Sequence, residues 1–221
     1  MTDTASLPLF PLGSVLFPGM VLPLHIFEPR YRLLVQRAVQ SDEPFGIVLI
    51  KSGVEVGGPA EPYRIGTTAR VIGTTPLPGG RSFIIARGER RFEIASIDAE
   101  REPYLVGQVR YLDEDDGADA APLADRAASA FEDYLTGILA TSSDARSDTP
   151  LADIREGDPN EISYRIAAGL GIDPAERQRL LETEKTAPRL ESVLRLVQRE
   201  NTLVKELLLR LRARGEGPTL H

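Results

Sequence analysis

A chain of 221 residues has room for one large domain or two modest ones, and a fold of that length buries roughly 70% of its unfolded surface. The composition, 42% hydrophobic and 27% charged, is that of a globular protein, and the absence of cysteine excludes disulfides and thiolate metal sites and points to a reducing compartment. The net charge of -7 is evenly spread: residues 1–118 carry 12 basic and 15 acidic side chains, residues 119–221 carry 14 and 18, and neither half has the basic excess of a general nucleic-acid binder.

Thr4 to Phe27 contains no charged side chain and is long enough to span a bilayer. Pro8, Pro11, Pro18 and Pro23, with Gly13 and Gly19, break it up too often for a spanning helix, and Asp3 stands where a signal peptide carries basic residues. A cytoplasmic protein is expected. The segment reads instead as two strands, Leu7–Leu12 and Met20–Phe27, whose prolines favour edges or barrel corners. Pro29 opens a helix to about Val39, with Leu33, Leu34 and Ala38 inward. Strands follow at Phe45–Lys51, Thr67–Ile72, Ser82–Arg87, Arg91–Ile97 and Tyr104–Leu112. Pro78-Gly79-Gly80 fits a hairpin loop, and Gly88-Glu89 fits a tight II′ turn.

Asp113–Asp116 and Gly117 form a polar junction, expected to be a solvated linker, and beyond it the periodicity becomes helical. Leu123, Ala127, Phe131, Leu135, Ile138 and Leu139 recur at spacings of three and four. Ala140–Thr149 is rich in Ser and Asp and reads as a loop. Glu161–Leu170 is a second helix, and Asp173-Pro174-Ala175-Glu176 is a helix start with an Asp cap, Pro at the first position and Glu at the third. Arg189–Arg214 aligns Leu190, Val193, Leu194, Val197, Val204, Leu207, Leu208 and Leu211, with a break at Glu200-Asn201; so long a stripe calls for a bundle. The expected division is a β domain over 1–118, a helical bundle over 119–214 and a tail over 215–221.

The catalytic inventory is thin. There is no Walker A sequence, no G-x-S-x-G and no H-E-x-x-H, and the only histidines are His25 and His221. His25 with Glu28 is the one imaginable dyad, but His25 lies in an apolar run and Glu28 at a helix start, so a structural role is expected for both. The acidic run lacks the EF-hand spacing, leaving no metal site and no cofactor to propose. Arg81, Arg87, Arg90 and Arg91 crowd one hairpin, with Glu89 and Glu93 interleaved, which argues against phosphate binding. Pro8-Leu9-Phe10-Pro11 fits P-x-x-P but is embedded in apolar residues and is expected to be buried. Phe17-Pro18-Gly19-Met20 is a turn with two large apolar side chains. Either a neighbour buries Phe17 and Met20, or they edge a groove for a polypeptide.

The run Leu7–Val35 resembles the opening of the Lon N-terminal domain family. The likeness rests on Phe10-Pro11-Leu12, Phe17-Pro18-Gly19, Leu24 and Phe27-Glu28-Pro29-Arg30-Tyr31. Phe45-Gly46, Ile65-Gly66-Thr67, Gly88 with Arg91-Phe92, and Tyr104-Leu105 extend it, and the helical half looks like the bundle of stand-alone members. The resemblance implies an α+β fold: a PUA-like mixed β pseudo-barrel with one inserted helix, followed by a C-terminal α-helical bundle. It also implies recognition of polypeptides. Together with the thin catalytic inventory, this leads to the expectation of a non-enzymatic module that binds exposed apolar segments of polypeptide clients or of a partner protein, with no peptidase or ATPase activity; the apolar turn read above makes Phe17 and Met20 the candidate binding residues. RNA or nucleotide binding through the barrel is the alternative, by analogy of fold alone.

Overall fold

The computed structural model describes residues 4–58, 60–115, 119–141 and 154–213. It forms two compact units, one comprising Met1–Asp113 with Gly171–Glu182 and the other Glu114–Leu170 with Thr183–His221.

The first unit is a mixed sheet of β1 (Ala5–Leu12), β2 (Val21–Ile26), β3 (Phe45–Gly53), β4 (Ala60–Pro62), β5 (Ile65–Leu77), β6 (Arg81–Asp98) and β7 (Leu105–Tyr111), with helix α1 (Pro29–Ser41) between β2 and β3. The order β1-β7-β6-β5-β3 closes on itself because β3 also pairs with β1, in parallel, Leu9 opposite Gly46. All other pairings are antiparallel. The uninterrupted apolar character of β1 follows from this closure. Leu7 and Leu9 point into a core with Val48, Phe92, Ile94 and Val109, while Phe10 and Leu12 join a second core with Leu34 and Val35 of α1 and Ile84 and Ala86 of β6. Both faces of the strand are buried, each large side chain contributing about 2 kcal/mol of transfer free energy. Tyr31 stacks on Phe10 with ring centroids 4.1 Å apart.

The expected turn at Gly88-Glu89 does not exist. β6 runs through it as one 18-residue strand. Gly88 donates to the carbonyl of Met20 and accepts from the N–H of Gly19, both at 2.9 Å, and a Cβ there would collide with the carbonyl of Phe17. Glycine is required for close approach, not for a turn. The turn at Pro78–Gly80 is where it was expected, with Gly79 and Gly80 at positive φ. β4 has no counterpart in the sequence reading, its three residues being too few to show alternation.

Helix α4 (Pro174–Glu182), expected within the bundle, groups with the barrel. Its start is the expected one, the Asp173 carboxylate accepting from the N–H of Ala175 at 2.8 Å. Gln178 then donates to the carbonyl of Ile65 at 3.0 Å, and the buried Arg91 donates to that of Leu181 at 2.8 Å.

The second unit contains α2 (Ala120–Thr141), α3 (Pro159–Gly169) and α5 (Thr186–Ala213). Asp158 caps α3 by accepting from the N–H of Glu161 at 2.8 Å. α5 is one helix through Glu200-Asn201, and at this break in the apolar stripe Asn201 donates to the carbonyl of Ala130 in α2 at 2.9 Å. Ala127, Phe131, Leu190, Val193, Leu194, Val197 and Val204 of the expected stripes are buried; Ala124, Ala128 and Tyr134 join them, whereas Ile138 and Leu207, towards the helix ends, are exposed. The described part of the acidic junction, Asp113 to Asp115, is exposed as expected but also makes specific bonds. Glu114 accepts from the Tyr164 hydroxyl at 3.0 Å and pairs at 3.5 Å with the fully buried Arg189, whose guanidinium also lies over the Tyr164 ring and donates to Ser163 at 2.8 Å. Asp115 bonds through its carbonyl to the N–H of Thr186 at 2.9 Å. Asp116, Gly117, most of the expected Ala140–Thr149 loop and the 215–221 tail lie outside the described residues. No described helix is long and apolar enough to cross a membrane.

Candidate binding surface

The distal halves of β5 and β6 lie outside the closed ring of strands and carry β2 on their free side. Register puts Pro23, Ile85 and Gly73 in one row across these three strands, and His25, Phe83 and Thr75 in the next. Side chains of alternate parity in β6, Ile84 and Ala86, enter the core beneath α1. The other parity meets water. Val21, Phe27, Phe83 and Ile85 are 42–49% exposed, and the His25 ring sits 4.8 Å from Phe83 and 5.5 Å from Phe27. These exposed large apolar side chains, two of them aromatic, lie on one face of the sheet.

β2 is hydrogen-bonded only to β6, so its other edge is unpaired among the described residues, and Pro23 has no N–H to offer there. A groove of about 250 Å³ is lined by Pro23 to Glu28 together with Leu12, Tyr31, Glu55 and Val56. A larger one of about 1200 Å³ shares Glu28 and Tyr31 and continues to Gly57, Ala60, Ile97 and Tyr104. The stretch Val54–Gly58 borders both. Its Glu55 carboxylate accepts from the N–H of Gly13 at 2.9 Å, and its Gly57 N–H donates to Glu28 at 3.3 Å. Glu28 also pairs with Arg30 at 3.0 Å, and Arg30 lies over the Tyr31 ring. Burial pushes the Tyr31 phenol above its ordinary pKa, partly opposed by the Arg30 charge, so it stays a neutral hydroxyl at the junction of the two grooves.

The expected site residues lie elsewhere. Phe17 has no exposed surface: α4 covers it, with the Arg177 guanidinium 5.4 Å from the ring centroid. Met20 is half-buried, its sulfur 3.8 Å from the same guanidinium. His25 and Glu28 do not form a dyad. One faces the outer surface and the other is committed to Arg30 and Gly57. The four arginines near the hairpin do not form one patch either: Arg81 and Arg87 share the outer face, Arg90 stacks over Tyr111 at 4.7 Å and Arg91 is buried.

The family model for the ATP-dependent protease La (LON) substrate-binding domain matches residues 6–199. The chain belongs to the LON substrate-binding domain family. Among curated relatives, Lon protease 1 of Hydrogenovibrio crunogenus is 27% identical over 194 residues, covering 86% of this chain and 23% of that protein. Lon protease of Xanthomonas oryzae is 29% identical over 218 residues, covering 96% and 25%. The chain thus spans about a quarter of the length of the curated relatives it matches. A Lon N-terminal domain protein from Xanthomonas campestris superposes with a TM-score of 0.63 at 27% identity, covering 86% of this chain and 97% of that one. The N-terminal domain of Mycobacterium avium complex Lon protease, at 21% identity and a TM-score of 0.64, shares the fold over 88% of this chain and 98% of its own. The mixed α+β architecture is that of these Lon N-terminal domains.

Proposed function

We propose that this LON-family chain is a non-catalytic polypeptide-binding module that takes up exposed apolar segments of client or partner proteins on the outer face of β2, β5 and β6. The observation that carries this is an outer face on which Phe27 and Phe83 lie beside His25, with Ile85 and Val21 further along the same strands, all four left in solvent. The edge of β2 beside it is unpaired among the described residues, and its main-chain groups on either side of Pro23, which itself has no N–H to donate, are open to an extended segment. The family's description as a substrate-binding domain supports the same assignment.

The test is a Phe83→Ser/Ile85→Ser double variant, titrated against a reduced and alkylated, permanently unfolded model protein. Affinity should fall about tenfold, which is roughly 1.4 kcal/mol. The melting temperature should hardly move, since both side chains are already half in water. Unchanged affinity in a folded double variant refutes the assignment.

A further inference from the structure

The outer face of β6 reads Arg81, Phe83, Ile85, Arg87, all exposed. In a chain of net charge -7, no carboxylate occurs in β2, in residues 73–77 of β5 or in residues 81–87 of β6. Neither Arg81 nor Arg87 enters an ion pair among the described residues; Arg81 only donates through Nε to the carbonyl of Pro78, at 3.1 Å. Arg32 of α1 brings a further guanidinium against Gly80, next to Arg81. At the opposite end Arg70 stands across from Arg87, but it is already neutralised by Glu89 at 2.6 Å and Asp42 at 3.1 Å. The apolar surface is therefore bracketed by two uncompensated cations, six residues apart on one strand, or about 20 Å.

Resting on the polypeptide-binding function proposed above, we infer that this surface selects extended segments whose apolar residues are bracketed by carboxylates at about the same spacing. Phe83 and Ile85 receive the apolar side chains, and Arg81 and Arg87 each face one acid. Exposed pairs of this kind are individually weak and screened by salt, so they set selectivity more than total affinity.

Three fluorescent peptides of one length, each with two Phe residues between two positions six residues apart, carry Glu, Gln or Lys at those two positions. Anisotropy titrations with the full chain at about 0.05 M salt should rank Glu over Gln over Lys, with about fivefold or more between the extremes, and the spread should collapse at about 0.5 M. Arg81→Glu/Arg87→Glu should invert the order. Arg81→Gln/Arg87→Gln should level it while leaving binding of the Gln peptide intact, which covers the case of a poorly folded charge reversal. Equal binding of all three peptides by the wild type overturns the charge rule and leaves the apolar function standing. Failure of all three to bind overturns both. Displacement of the Glu peptide by an unstructured RNA, abolished in the Gln variant, overturns the inference in favour of phosphate recognition.

Discussion

The guanidinium of Arg91, in the middle of β6 and without exposed surface, donates to the main-chain carbonyl of Leu181, ninety residues away at the end of α4. Together with Gln178, which reaches the carbonyl of Ile65, it makes α4 part of the barrel unit and not of the helical one.

Arg91→Ala removes a buried donor and leaves both a cavity and a carbonyl that has lost that partner. The expected loss is about 3 kcal/mol of unfolding free energy. Urea denaturation measures it, and limited proteolysis should show earlier cutting within 171–182. A loss below about 1 kcal/mol means that Arg91 does not anchor the helix.

The Phe17→Ser/Met20→Ser double variant tests the turn that the sequence marked as a possible site. Because Phe17 is fully buried under Arg177, this variant should lose about 3 to 4 kcal/mol of stability, the scale of large-to-small core changes. It thereby separates from Phe83→Ser/Ile85→Ser, which should leave stability alone. A stable Phe17/Met20 variant with lost polypeptide binding would instead place the site at this turn.

Glu132 of α2 is held below the ordinary carboxylate range by hydrogen bonding and attraction from Arg155, the two lying 2.8 Å apart. A carboxylate with a depressed folded-state pKa contributes stability above its unfolded value, roughly 4.3, and loses it as pH falls through the folded value. Wild type should therefore exceed Glu132→Gln in urea midpoint near neutrality, and the gap should close on acidification below about pH 4. A gap that is constant with pH removes the ion pair as its cause. The pair is partly exposed, so the gap should also shrink in high salt.

Much of the fold is legible in the residues themselves. The period-2 runs of the first half, the period-3.6 stripes of the second, Pro29 at a helix start and the Asp173 cap are all local signals, fixed by backbone sterics and by hydrogen bonds within a few residues. The Phe10-Pro11-Leu12 and Phe17-Pro18-Gly19 segments likewise carried the family resemblance. The candidate surface was not legible in the same way. Val21–Ile26 and Arg81–Arg87 are apolar at both parities, as in β1, and such a run reads as buried on both faces. Only the tertiary structure decides that β1 lies between two cores while β2 and the distal half of β6 have a core on one side and water on the other. The same holds for Gly88, for Phe17 beneath α4 and for Glu114 against Arg189. Local propensity cannot say which remote segment will approach, and at each of these positions the approach of a segment distant in the chain sets the environment of the side chain.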